Sequence, residues 1–159
     1  MATAETPRAA AIHVALGNVL KTLGREAEAI GCYQSAGAVA PGYGAAYWSL
    51  AELKTYRFSE EEIARMRRYE ELEATPLADR YHLAFALAKA LKDKADYAES
   101  FRCYQRGNAL KYAQVRYNPQ PMESTARRQM ATCTEAFFAQ REHVGSLSAA
   151  PIFVVGMPA

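Results

Sequence analysis

The chain has 159 residues, half of them apolar, and a formal net charge of +2. That length and composition fit one domain with a packed core and argue against a disordered class. The small charge, with no run of Lys or Arg, argues against nucleic acid as a partner. No apolar stretch reaches the roughly 18 residues of a membrane span, and Met1 to Pro7 lacks the apolar core of a secretory signal.

Residues 1–9 read as a disordered or cloning-derived lead. From Ala10 a two-helix pattern begins, carried by His13, Leu16, Gly17, Leu20, Gly24, Ala29, Tyr33, Ala36 and Pro41. Gly17, Ala29 and Ala36 are small enough to let two antiparallel helices approach closely, with Leu20 and Tyr33 filling the space between them. Gly24 suits a turn that needs positive φ, and Pro41 cannot continue the hydrogen-bond ladder of the second helix. The first hairpin is therefore predicted over 10–43.

A second unit, 44–77, starts with Tyr47, Leu50 and Ala51 on its first helix. Its second helix departs from the pattern, with Arg67 and Glu70 where an aromatic and Ala are expected. That helix is still well marked. Ser59 and Glu62 form a capping box, Glu60, Glu61 and Glu62 suit the positive N-terminus, and Glu61 and Arg65 are spaced as an i,i+4 pair. Ile63, Met66, Tyr69 and Leu72 are the predicted apolar stripe, and Thr75-Pro76 breaks the chain.

The third unit, 78–117, repeats the pattern with Ala84, Leu87, Ala88, Leu91, Ala95, Ser100, Tyr104 and Gly107. Tyr112 replaces the terminal Pro, so its second helix is expected to run on towards Arg116. Asn118-Pro119-Gln120-Pro121 then opens 118–145, where Met122, Ala126, Met130, Cys133 and Phe137 recur on one helical face. A helix there suits the cap of a stack whose last unit cannot bury its own face. Residues 146–159 read as a loop and then a short buried strand, Ile152 to Val155, of a further parallel sheet.

The tripeptide Cys-Tyr-Gln occurs at Cys32 and again at Cys103, 71 residues apart. This is about two periods of a ~34-residue helical repeat. Residues 10–41 resemble the tetratricopeptide repeat (TPR), which implies an all-α, right-handed solenoid of three helix-turn-helix units plus a capping helix. Three further segments narrow the resemblance: Trp48 to Phe58; Phe85 to Leu91 with Asp96 to Phe101 and Gly107 to Leu110; and Pro151 to Pro158. In this order they are similar to bacterial cytoplasmic proteins that join TPR units to a C-terminal sulfotransferase domain. The resemblance implies the sulfate donor PAPS as cofactor of the whole protein. It places that donor's phosphate loop just after Gly156, Met157 and Pro158, where Ala159 stands in place of the family's Arg. The chain itself is thus expected to be a non-catalytic binding or scaffold module. Its expected partner is a protein or peptide segment, the parent's own catalytic domain, or a second copy met through the capping helix or the 151–159 tail.

By the same resemblance, the concave surface is lined by the first helix of each unit. It would carry Ala11, Val14, Asn18, Lys21 and Thr22, then Ala45, Trp48, Glu52, Thr55 and Tyr56, then His82, Phe85, Lys89, Lys92 and Asp93. Asn18 and Lys89 are candidates for holding a carboxylate, and Trp48, Tyr56 and Phe85 for packing on side chains. Lys21, Glu52 and His82 complete the candidate groove. Val14 and Ala45 stand where a full carboxylate clamp needs cations or amides. Trp48 at such a place either faces the groove or packs as core.

Other motifs have plainer readings. Cys32 and Cys103, two stacked units apart, should lie about 20 Å from each other, too far for a disulfide, and reduced thiols are expected. His13, His82 and His143 share no ligand spacing, so no metal site is expected. Pro41-Gly42-Tyr43-Gly44 follows a helix and reads as a turn between units instead of a phosphate loop.

Overall fold

The computed structural model describes residues 5–115, 118–145 and 148. Among them the protein is all-helical, with α1 (Glu5–Thr22), α2 (Glu26–Val39), α3 (Gly44–Ala51), α4 (Glu60–Glu71), α5 (Leu77–Asp93), α6 (Tyr97–Val115), α7 (Gln120–Thr132) and α8 (Glu135–Ala139). The chain divides into two compact units, one within 1–116 and one within 117–159. The expected strand Ile152–Val155 and the Gly156-Met157-Pro158 segment lie outside the described residues. Of the expected lead, residues 5–9 are already helical.

Two tight helix pairs flank the first unit, α1 with α2 and α5 with α6. The first turns at Gly24, whose φ of 74° is the left-handed conformation its lack of a side chain permits. Tyr33 is wholly buried between α1 and α2. A Cβ on Gly17 would stand 2.5 Å from the Tyr33 ring, so the glycine is what makes room for the aromatic. The Tyr33 hydroxyl escapes burial unsatisfied by donating to Asn18 Oδ1 at 2.8 Å. In the last pair Ser100, buried at the place of Ala29, donates its hydroxyl to the Ala88 carbonyl at 2.7 Å. Ala95 turns this pair with φ of 63°, at the place Gly24 holds in the first.

The middle of the unit departs from the expected regularity. α3 has only 8 residues. It packs on α2 and α5, and α4 packs on α5, so α3 and α4 do not form a pair like the other two. Thr55 and Tyr56, expected on the first helix of the unit, lie in the stretch after it. That stretch turns inward at Leu53 and Phe58, both buried. α4 starts as its sequence requires: Glu62 N–H donates to Ser59 Oγ at 3.2 Å and Ser59 N–H to Glu62 Oε2 at 2.8 Å.

Four sequence expectations need correction. Leu16, part of the predicted pattern of the first hairpin, is 50% exposed, while Leu20 and Tyr33 of the same pattern are buried. Leu72 lies past the end of α4 and is exposed, while Glu70 is buried in the stripe instead. Glu70 tolerates this because Arg106 Nε lies 3.2 Å from its Oε1. Glu61 and Arg65 do not pair; Glu60 reaches Lys94 instead, and Arg65 faces the Tyr47 hydroxyl. Finally, the helix expected across 118–145 is two. Thr134 Oγ1 accepts from Phe137 N–H at 3.2 Å, capping a new helix that starts one residue later. The predicted stripe is therefore split between α7 and α8, with Cys133 at the break.

Candidate functional site

The eight candidate groove residues come from α1, α3, α5 and the stretch after α3. The packing of α3 on α5 joins three of them. Trp48 lies over His82 with ring centroids 6.3 Å apart and planes 21° from parallel, and beside Phe85 at 5.8 Å. The cluster continues through Tyr81, 4.4 Å from His82, and Tyr104, 6.3 Å from Phe85. Trp48, His82, Phe85 and Tyr104 are each half-buried, so the aromatic faces are partly open to solvent. Trp48 thus both packs on its neighbours and contributes to the surface. A Cβ on Gly107 would come within 2.7 Å of the Phe85 ring, so this glycine of α6 lets the cluster seat itself.

Lys111 supplies the cluster's cation. Its Nζ lies 4.5 Å from the centre of the Tyr81 ring and donates to the Tyr81 hydroxyl at 3.2 Å. Burial, and then the charge of Lys111, hold the His82 imidazole below its ordinary pKa. Its Nδ1 is buried without a hydrogen-bond partner. His82 is therefore a neutral ring against Trp48 near neutral pH, with a direct cost to acquiring a proton.

The other candidates are occupied by the protein's own groups. Asn18 accepts from Tyr33, as described. Lys21 Nζ meets Glu52 Oε2 at 3.1 Å, bridging α1 to the end of α3. Lys89 donates to the Tyr56 carbonyl and pairs with Asp93 at 2.7 Å. Tyr56 donates its hydroxyl to Glu62 Oε1 at 2.6 Å and accepts from Gln34 at 3.2 Å. Burial and the Glu62 hydrogen bond push its pKa up to about 12. Val14, expected on the groove, is buried in the core.

Sequence reasoning missed Tyr81, Tyr104 and Lys111. Tyr104 belongs to the repeated tripeptide, which was a signal for its importance but not for its place. Lys111 lies on a second helix of a unit, outside the positions assigned to the groove, and only the packing of α6 on α5 brings it to the aromatic rings.

A separate cleft of about 400 Å³ is lined by Glu70, Arg80, Arg106 and Cys103 among others. Its charges answer one another: Arg80 Nε donates to the Glu70 carbonyl at 2.9 Å, and Arg106 pairs with Glu70 and, at 3.4 Å, with Glu99. The Cys103 thiol is buried, and burial raises its pKa, the reverse of an activated nucleophile. Among the described residues no group of three or more His, Cys, Asp or Glu is placed to hold a metal ion, and no helix is long and apolar enough to cross a membrane. Comparison with protein-family models, curated proteins and solved structures finds no match for the chain.

Proposed function

We propose that the chain is a TPR-like solenoid module that binds a protein or peptide segment across the aromatic surface of Trp48, His82, Phe85 and Tyr104, backed by the buried Tyr81. The observation that carries this reading is the half-open stack of Trp48 on His82 and Phe85 beside the Lys111 ammonium. Aromatic faces supply contact area at low entropic cost, and a neighbouring cation favours a ligand with a carboxylate or carbonyl near its apolar side chain. By the sequence resemblance, the module would be the non-catalytic, cytoplasmic part of a PAPS-dependent sulfotransferase, presenting substrate proteins to a catalytic domain.

One observation favours a purely structural module instead. Asn18, Lys21 and Lys89, the candidate polar contacts, are already engaged within the chain. A peptide-array pull-down separates the two readings. Binding reads out as a family of peptides retained by the native protein and lost by Trp48→Ala; a folded native protein that retains no peptide supports the structural reading.

A further inference from the structure

His82 is enclosed by aromatic rings on two sides. Trp48 of α3 lies over it with planes 21° from parallel, and Tyr81 meets it edge-on at 4.4 Å. Its Nδ1 is buried with no hydrogen-bond partner. A neutral imidazole can leave one lone pair unmet at modest cost. An imidazolium cannot do the same, because both of its nitrogens carry protons and the ring carries a charge. The seat that His82 occupies therefore fits the neutral ring.

The charges around the ring decide how it responds to acid. α6 brings the Lys111 ammonium, held against the Tyr81 ring and hydroxyl, and this opposes a second cation. The end of α3 brings Glu52, which favours one, but its carboxylate is already paired with Lys21 of α1 at 3.1 Å. Among the described residues no charge of α4 acts on the ring, and the buried Glu70 is committed to Arg106. On α5 itself Asp79 accepts the Gly44 N–H, and Lys89 pairs with Asp93. The face of Trp48 attracts an imidazolium, yet it offers no acceptor to a buried Nδ1–H.

We infer that His82 is an acid-operated latch on the aromatic cluster: once protonated, the ring leaves its seat between Trp48 and Tyr81 to hydrate Nδ1, and the Trp48 face opens to water. The helices do not have to part. His82 is half-buried, so a change of its side-chain torsion reaches solvent. Each pH unit below about 6.5 favours the hydrated ring over the enclosed one by about tenfold, until the enclosed ring itself titrates. The latch acts on the surface proposed above for a peptide, but it is built from the chain's own residues and works without a ligand.

The test is an acid titration of the full, ligand-free chain from pH 8 to pH 4, read by tryptophan emission, acrylamide quenching and far-ultraviolet circular dichroism. Trp48 is the only tryptophan, so the emission reports this cluster alone. The emission should move to the red and acrylamide quenching should rise while the helical signal stays constant. The midpoint should lie below about 6.5 and coincide with the titration of the His82 ring protons in NMR spectra. His82→Phe cannot take a proton and should lose the step. Lys111→Met should move the midpoint upward, and together with the NMR titration it carries the test if His82→Phe fails to fold. An emission that stays unchanged down to pH 4 overturns the proposal. So does a step that persists in His82→Phe, that coincides with loss of helix, or whose midpoint Lys111→Met leaves in place. Constant acrylamide quenching while His82 titrates also overturns it, because the charged ring would then still cover Trp48.

Discussion

Gly44 and Asp79 lock α3 to α5. The Gly44 N–H donates to Asp79 Oδ1 at 2.9 Å, and a Cβ on Gly44 would stand 2.3 Å from the Asp79 carbonyl oxygen. The clash is with backbone, so no side-chain rotation relieves it. Gly44→Ala should destabilise the protein by about 3 kcal/mol, the upper end of overpacking costs. Chemical denaturation measures it; a loss below about 1 kcal/mol contradicts the close approach.

Asp79 itself gives a second test. Burial raises its pKa, while the Gly44 hydrogen bond works the other way. A raised carboxyl pKa means the folded state binds the proton more tightly than the unfolded one, so this group's contribution to stability falls as pH rises through the folded pKa. Asp79→Asn keeps an acceptor for Gly44 without the buried charge. It should melt higher than the native protein at pH 7, and the difference should shrink at pH 4. Asp79→Ala should melt lower, having lost the acceptor.

Ala95 bears the strain that Gly24 avoids. Its φ of 63° is costly for a residue with a Cβ. Ala95→Gly should therefore stabilise by about 0.5–1 kcal/mol, net of the greater freedom glycine gives the unfolded chain. Gly24→Ala should destabilise by a similar amount. Melting temperatures that move the opposite way would show that the turn relaxes without cost.

Glu70 is buried and depends on Arg106. Arg106→Ala should cost about 1–3 kcal/mol, reduced from the value for a fully buried pair because the Arg106 side chain is 44% exposed. Glu70→Ala combined with Arg106→Ala removes the stranded charge as well. The double variant should be more stable than Arg106→Ala alone, and equal or lower stability contradicts a desolvated carboxylate.

The His82 pKa is lowered by burial, then by Lys111. The unfolded chain therefore binds a proton here more readily than the folded one. Stability from this group is complete above the unfolded pKa of about 6.5 and is lost as pH falls below it. His82→Phe should flatten that acid limb of the stability profile, measured by melting between pH 5 and pH 8.

The seams of the first hairpin were legible in the sequence because they rest on size. Gly17, Ala29 and Ala36 are small where Tyr33 is large, and nothing else in the fold changes that requirement. The capping box at Ser59 and Glu62 was legible for a similar reason, being satisfied within four residues. What could not be read was set by distant partners. Glu70 became tolerable in the core only through Arg106, 36 positions away. Leu16 holds its place in the hairpin pattern yet is 50% exposed. The candidate surface was half legible. The register brought Trp48, His82 and Phe85 to one surface, but the early end of α3 moved Tyr56 off the helix, and Lys111 entered from α6.

The most direct measurement is a fluorescence titration of Trp48, the only tryptophan of the chain, with a peptide taken from the array. Binding across the aromatic surface should shift or quench the Trp48 emission saturably, and His82→Ala and Phe85→Ala should each weaken the midpoint at least tenfold. A peptide that binds while leaving the emission unchanged, with the same affinity in both variants, would contradict the groove.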